Sequence, residues 1–247
     1  MTKKLRIRPN ISLATKASNV LREFIFENYK EGGKIPGEHE LSEQLGVNRG
    51  TIRQALRTLE HEGIVIRRQG DGTYANSHVI GINTRIDEII EYKELVRKSG
   101  YKASTVQLEV INELASEEIA QKLSIDHHSP LLVSKNILFA DENPAIYVED
   151  KIPIDFIKEE YDQQELKDSV FDFLENRCYA RVSYTISEVV PRRCGEELAK
   201  ILQVEPWQPL LQTNGLVFSE ENKPIMLSTT YYREPFIRFH IVRKRKY

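Results

Sequence analysis

Residues 35–74 read IPGEHELSEQLGVNRGTIRQALRTLEHEGIVIRRQGDGTY, and this stretch decides how the chain around it is organised. Leu41 and Leu45 lie four apart, and Ile52, Leu56 and Leu59 recur at i, i+4 and i+7. Each segment therefore predicts a helix with one apolar stripe and one polar face. Between them, Gly46 can take the left-handed backbone that ends a helix, Val47 points inward, and Asn48 is placed to cap the next helix. Two short helices across so tight a turn make a helix-turn-helix. The second opens with Arg49, Thr51 and Arg53 near its N-terminus. In such motifs that end enters the major groove, where a guanidinium fork suits guanine edges or phosphate oxygens and a hydroxyl reaches either. After Gly63, Ile64 and Ile66 alternate with Val65 and Arg67 as a strand, and Gly70, Asp71 and Gly72 supply a hairpin turn before Thr73 and Tyr74. This is a β-wing, with Gln69 and Gly70 expected at its phosphate-facing tip.

Taken in order, these residues resemble the winged helix of GntR-type bacterial transcription factors. The match runs through P-x-E-x-E-L at Pro36–Leu41, V-x-R-x-T-I-R at Val47–Arg53, A-L-x-x-L at Ala55–Leu59, the pair Glu62 and Gly63, and the G-x-G-T-Y wing. The resemblance implies that Arg49 and Arg53 contribute most to DNA binding, with Asn48, Thr51 and the Gly70 backbone positioned beside them. Two residues depart from the pattern: His39 stands where the family usually has an arginine facing DNA, and Asp71 sits at an often basic wing tip. Both are expected to lower nonspecific phosphate affinity or to shift operator preference.

The chain has 247 residues, 40% hydrophobic and 29% charged, which is room for two domains and the composition of an ordinary globular protein. Its net charge of -2 is unevenly spread. Residues 1–75 hold 13 Lys and Arg against 9 Asp and Glu, or +4, leaving 22 against 28, or -6, for the remainder. The positive third is the one that carries the helix-turn-helix. No apolar run approaches the roughly 20 residues of a membrane helix, and MTKKLRIRPN has no apolar core behind its charges. A cytoplasmic protein without membrane partners is the expectation. Cys178 and Cys194 are sixteen apart with no C-x-x-C partner, so neither a disulfide framework nor a zinc site is indicated. His127 and His128 fall in a loop without a third ligand. With no nucleophile triad, P-loop or dinucleotide turn in the chain, no catalytic residue, metal or cofactor is expected.

The expected fold class is α+β, with a winged helix-turn-helix domain over residues 1–75, a polar linker over 76–85, and an antiparallel-sheet α+β domain over 86–247. Residues 1–11 form a basic tail, and Leu13–Tyr29 an amphipathic helix beneath the two DNA-reading helices. In the second domain, helices are predicted at Ile86–Ser99, Ser116–Leu123, Ser169–Arg177 and Gly195–Leu202. Strands are predicted at Ser104–Ile111, Leu131–Ala140, Pro144–Ile152, Arg181–Val190, Leu210–Phe218, Pro224–Arg233 and Phe236–Val242, the last running into the basic Arg243–Lys246. The hairpins ILFADENPAIYVEDKIP and LVFSEENKPIMLSTTYY look alike, which points to an internally duplicated sheet.

This second segment resembles the UTRA effector-binding domain of the HutC subfamily of GntR regulators, whose fold is similar to chorismate lyase. In the sugar-phosphate sensors of that subfamily, the resemblance implies a pocket built from two arginines, a Ser/Thr-rich loop, a Ser and a Tyr at a helix start, and two glutamates. Here Asn136 and Leu138 replace the arginines, Glu91, Tyr92 and Lys93 the loop, and Phe171 the Tyr. Val148 and Met226 replace the glutamates unless a one-residue slip brings Glu149 in, while Ser169 and Tyr232 remain. A pocket without guanidinium forks has no strong bidentate partner for phosphate, and Glu91 would repel it. Apolar lining would leave sugar hydroxyls unpaired at roughly 1–3 kcal/mol each. The expected effector is therefore not a typical sugar phosphate but a less charged, more apolar molecule, with an amine for Glu91 or Glu149 to meet.

The chain is thus expected to be a homodimeric, ligand-responsive repressor of double-stranded operator DNA. An enzyme of the lyase-like fold, or an interaction adaptor that no longer binds DNA, are the alternatives. Turnover of chorismate would favour the first, and failure to retain duplex at low salt the second.

Overall fold

Ser12 starts the first helix by accepting the amide of Thr15 on its hydroxyl at 3.1 Å, in a computed structural model that describes residues 12–245. The basic tail at residues 1–11 and the last part of the Arg243–Lys246 run lie outside the described residues. The chain divides into two compact units, one ending at Arg85 but taking in the residues from His240 onward, the other spanning Ile86–Phe239.

In the first unit, α1 (Leu13–Asn28) buries Ala17, Leu21 and Ile25. After β1 (Gly33–Lys34) come α2 (Glu38–Leu45) and α3 (Arg49–Glu62), whose buried faces supply Leu41 and Ile52, Ala55, Leu56 and Leu59. The wing is β2 (Val65–Arg68) and β3 (Gly72–Ala75), in an antiparallel sheet of order β1-β3-β2. Its inward alternation differs from the expected one. Val65 is buried opposite Ala75, while Ile66 is 48% exposed; Ile64, one residue before the strand, is buried.

Two further segments depart from the sequence reading. Residues 76–85 are not simply a polar connection: Ser77–Ile80 forms a short helix, α4, and its Val79 and Ile80 are buried in the core of the first unit. Those two apolar residues gain more from burial than a solvated linker would offer. Phe236–Val242 is no strand; its only ladder contact is an isolated bridge between Arg85 and His240. Beyond it the chain returns to the first unit, where Val242 packs on the core and the Lys244 ammonium donates to the Glu60 carbonyl.

The second unit begins with a shorter helix than Ile86–Ser99. Glu91 has an extended backbone (φ -55°, ψ 136°), and α5 is Tyr92–Lys98. Next come β4 (Ala103–Leu114), α6 (Glu117–Leu123), β5 (Pro130–Ala140) and β6 (Asn143–Pro153). A 3-10 turn at Ile154–Phe156 leads to α7 (Gln164–Asp168) and α8 (Val170–Arg177), then β7 (Val182–Arg193), α9 (Gly195–Leu202), β8 (Pro209–Ser219) and β9 (Pro224–Tyr232). The six strands form one sheet of order β4-β5-β6-β9-β8-β7 with antiparallel neighbours. The succession β4-α6-β5-β6 is repeated as β7-α9-β8-β9, and the last strands of the two repeats pair at the centre. The likeness of the two hairpins is thus a likeness of position in the sheet.

Side chains alternate across these strands. Leu138, Ile146, Val148 and Tyr232 pack with Leu95 and Val96 of α5, while Ile152 and Met226 pack with Phe173 and Leu174 of α8. Ile137, Tyr147 and Leu210 belong to a separate cluster with α9, and Leu131 and Val133 to one with α6. Helices therefore cover both faces.

Candidate functional site

Two places gather the residues singled out above, one in each unit. In the first, Gly46 ends α2 at φ 63°, a left-handed conformation that glycine adopts without strain. Asn48 then caps α3, its Oδ1 accepting the Thr51 amide at 2.8 Å. This turn and the buried stripe of α3 leave Arg49, Arg53 and Arg57 exposed on successive turns of the helix. Arg57 is absent from the sequence-derived set, although its i+4 spacing from Arg53 was there to be read. Thr51 is half-buried.

The guanidiniums are not all unengaged. Arg53 donates to Glu38 from Nε at 3.1 Å and from Nη2 at 2.9 Å. Arg67 lies 3.3 Å from Glu60 and 3.8 Å from the same Glu38. His39 is exposed on α2, its Nδ1 3.5 Å from Glu43. At the wing, Gln69 and Gly70 are exposed, with Gly70 at φ 76°. Asp71 accepts the Tyr74 hydroxyl at 2.8 Å and lies 3.4 Å from the Lys34 ammonium. The Tyr74 hydrogen bond above all, with help from Lys34, holds the Asp71 carboxyl below its ordinary range. Arg68 stacks over the Tyr74 ring at 4.2 Å, so this wing tip carries a guanidinium beside its acid.

The second place is a small cleft, about 30 Å³, between the start of α5, the α7–α8 junction and the sheet. Of the effector residues expected from sequence, Glu91, Tyr92, Asn136, Leu138, Val148 and Ser169 line it. Phe171, Met226 and Tyr232 do not: Phe171 and Met226 pack in the cluster under α8, and Tyr232 packs edge-on against Phe239 at 4.8 Å. The slip that would admit Glu149 does not occur. Val148 faces the cleft, and Glu149, one residue on, sits outside it and lies 3.0 Å from Lys151. Period-two alternation forbids both from facing the same side.

The cleft also has a polar floor that the sequence reading missed. Asp150, two residues beyond Val148, lines it while only 2% exposed, and Asn136 is 4% exposed. Oδ1 of Asp150, Oδ1 of Asn136 and Oγ1 of Thr105 are buried there without hydrogen-bond partners. Asn136 donates its amide to Ser134 at 3.0 Å. Burial, partly offset by Ser228, pushes the Asp150 carboxyl up to about 7. At the rim, Ser169 donates to Glu91 at 2.6 Å and caps α8 by accepting the Asp172 amide at 3.0 Å. Burial is also the main cause of a raised Glu91 pKa. The Tyr92 hydroxyl contacts Thr230 at 2.8 Å and Ser228 at 3.1 Å. The signal for Asp150 was an acid at an inward position of a strand, where alternation alone would have placed it.

No helix among the described residues is long and apolar enough to cross a membrane. Residues 98–236 match the UTRA domain, and residues 13–75 match the bacterial regulatory proteins of the gntR family. The HTH-type transcriptional regulator GgaR of Escherichia coli strain K12 is 27% identical over 229 residues, 93% of this chain and 88% of its own. The HTH-type transcriptional repressor NagR of Bacillus subtilis strain 168 is 23% identical over 199 residues, 81% of each chain. The crystal structure of the possible transcriptional regulator YydK from Bacillus subtilis has the same fold, with a TM-score of 0.73 at 18% identity, covering 95% of this chain and all of that one. With a gntR helix-turn-helix followed by a UTRA domain over more than half its length, the chain belongs to the gntR family of bacterial regulatory proteins, as a ligand-responsive DNA-binding transcriptional regulator and not an enzyme.

Proposed function

We propose that the chain is a repressor that binds an inverted-repeat operator as a homodimer and is controlled by a small molecule held in the cleft of its second unit. The observation that carries the reading is the row Arg49, Arg53 and Arg57, exposed on a helix whose opposite face is wholly buried. A solvated helix face needs no such row, whereas a helix entering the major groove does. Asn48, through its cap, fixes where that helix begins. Thr51 stands at its N-terminus, with His39 and the wing residues Gln69 and Gly70 as flanking contacts. Two relatives carry the word repressor in their names, NagR and the probable fructoselysine utilization operon transcriptional repressor of Escherichia coli strain K12, which supports that sign of regulation.

The DNA-binding part is the first unit, which includes α4 and ends at Arg85 before taking up the chain again from His240, and the effector part is Ile86–Phe239. A ligand preferring the DNA-free arrangement lowers operator affinity by its ratio of affinities for the two states. Duplexes selected from a random pool by the full chain test the reading. It predicts a symmetric consensus, two chains per duplex in sedimentation, and release by the effector. A single chain on an asymmetric site would contradict it.

A further inference from the structure

Resting on the reading of the cleft as the effector site, we infer that its ligand carries a protonated amine, seated against Asp150 with Asn136, Thr105 and Glu91 around it. The floor is rich in acceptors, with the Asp150 carboxylate when it is ionised the strongest of them. Three buried oxygens, on the cleft-lining residues Asp150, Asn136 and Thr105, have no hydrogen-bond partner. A buried acceptor without a donor is destabilising, and more so when it is charged. A primary ammonium carries three donors and one positive charge, and so answers all three oxygens together. A phosphate or carboxylate in the same position would add acceptors to acceptors and place like charges in contact.

The cationic side chains of the cleft do not change this. Lys93 lies 3.2 Å from Asp168, and Lys167 shares their short α7 junction. Both stand on the helical wall, while Asp150 stands on the strand floor beside Ser228 of β9. Charged and titratable groups around Asp150 are Glu91, Tyr92 and Lys93 from α5, Lys167, Asp168 and Asp172 from α7 and α8, Tyr232 from β9, and Glu149 across the sheet. Acids outnumber bases in this set, which favours a cation. The enclosed space is about 30 Å³, room for the ammonium group itself, and an amino acid and an amino sugar are the two carriers tried. The ammonium is common to both, and the experiment separates them.

The full-length protein is titrated with glucosamine against glucose, L-norleucine against hexanoate, and glucose 6-phosphate, at matched ionic strength, by calorimetry in two buffers of different ionisation enthalpy. The expected result is binding by one amine at least tenfold tighter than its partner lacking that amine. Below pH 7 it is accompanied by proton release, as the ammonium ionises Asp150, and it weakens at least tenfold in Asp150→Asn. Should that variant not fold, proton release by the wild type and weakened binding in Glu91→Gln carry the test. Failure of both amines to bind, equal binding by the counterparts, proton uptake, or tighter binding by glucose 6-phosphate would each overturn the inference. If glucose 6-phosphate released operator DNA, the ligand-controlled repressor would stand and only the amine would fall.

Discussion

Glu38 and Arg53 hold each other across the turn of the helix-turn-helix, with Arg53 Nη2 2.9 Å from Glu38 Oε2. Glu38 opens α2 and Arg53 lies on the second turn of α3, so a guanidinium proposed to read DNA is already committed to a carboxylate. The same carboxylate lies 3.8 Å from Arg67. Glu38 therefore limits how much positive charge this surface offers to phosphates.

Glu38→Gln is accordingly expected to tighten binding to a nonspecific duplex by about three- to tenfold at low salt, on the order of 1 kcal/mol for removing an exposed like charge from the phosphates. Its log-log salt slope is expected to steepen by about 1. Fluorescence anisotropy between 50 and 200 mM salt, the range over which such slopes are read, measures both. Weaker binding would mean that Glu38 instead aims Arg53 at its contact.

The return of the C-terminal segment to the first unit has a consequence for stability. Val242 packs against that core, and Gly63, at φ 83°, has Lys244 Cε and Val242 Cγ1 3.3 and 3.4 Å from where a Cβ would stand. A chain ending at Phe239 loses these contacts, and its DNA-binding unit is expected to unfold more easily by about 1–2 kcal/mol, the loss of one partly buried aliphatic side chain. Urea denaturation followed in the first unit would show it; an unchanged midpoint would mean that the tail contributes no packing.

Asp150 makes stability depend on pH. Its carboxyl is raised to about 7 by burial, so the folded chain binds one more proton than the unfolded chain from about pH 4 to 7. Stability from this group is complete below pH 4 and is lost as pH rises through 7. At about 1.4 kcal/mol per pH unit the loss is on the order of 4 kcal/mol. Asp150→Asn is expected to leave melting unchanged near pH 4 and to raise Tm by several degrees at pH 8. Equal melting of the two proteins at pH 8 would show that the acid is not penalised.

Much of the architecture was legible because local signals agreed with one another. Gly46, Asn48 and Gly63 punctuate helices that the leucine and isoleucine spacing had already placed, and the two hairpins announce their turns with Asp141 and Asn222 in left-handed backbone. What escaped depends on contacts distant in sequence. The α4 turn and the Val242 segment read as polar connection and as strand, because only the first unit's core, formed elsewhere in the chain, makes them worth burying. In the cleft, six of nine expected residues converge, but Met226, Phe171 and Tyr232 sit in neighbouring clusters. The chemistry of the floor was hidden because an inward acid looks like any surface acid until β5, β6 and β9 are paired around it.

Selection of duplexes from a random pool, followed by comparison of wild type with Arg49→Ala, tests the proposed regulator most directly. Arg49 is exposed at the first turn of α3, so its loss should leave the circular dichroism and melting of the chain unchanged. Operator affinity should fall by about 1–3 kcal/mol, the worth of one good base contact, with relaxed preference at one position of each half-site. A variant that selects the same sequence with the same affinity would contradict the assignment of α3 as the element that reads DNA.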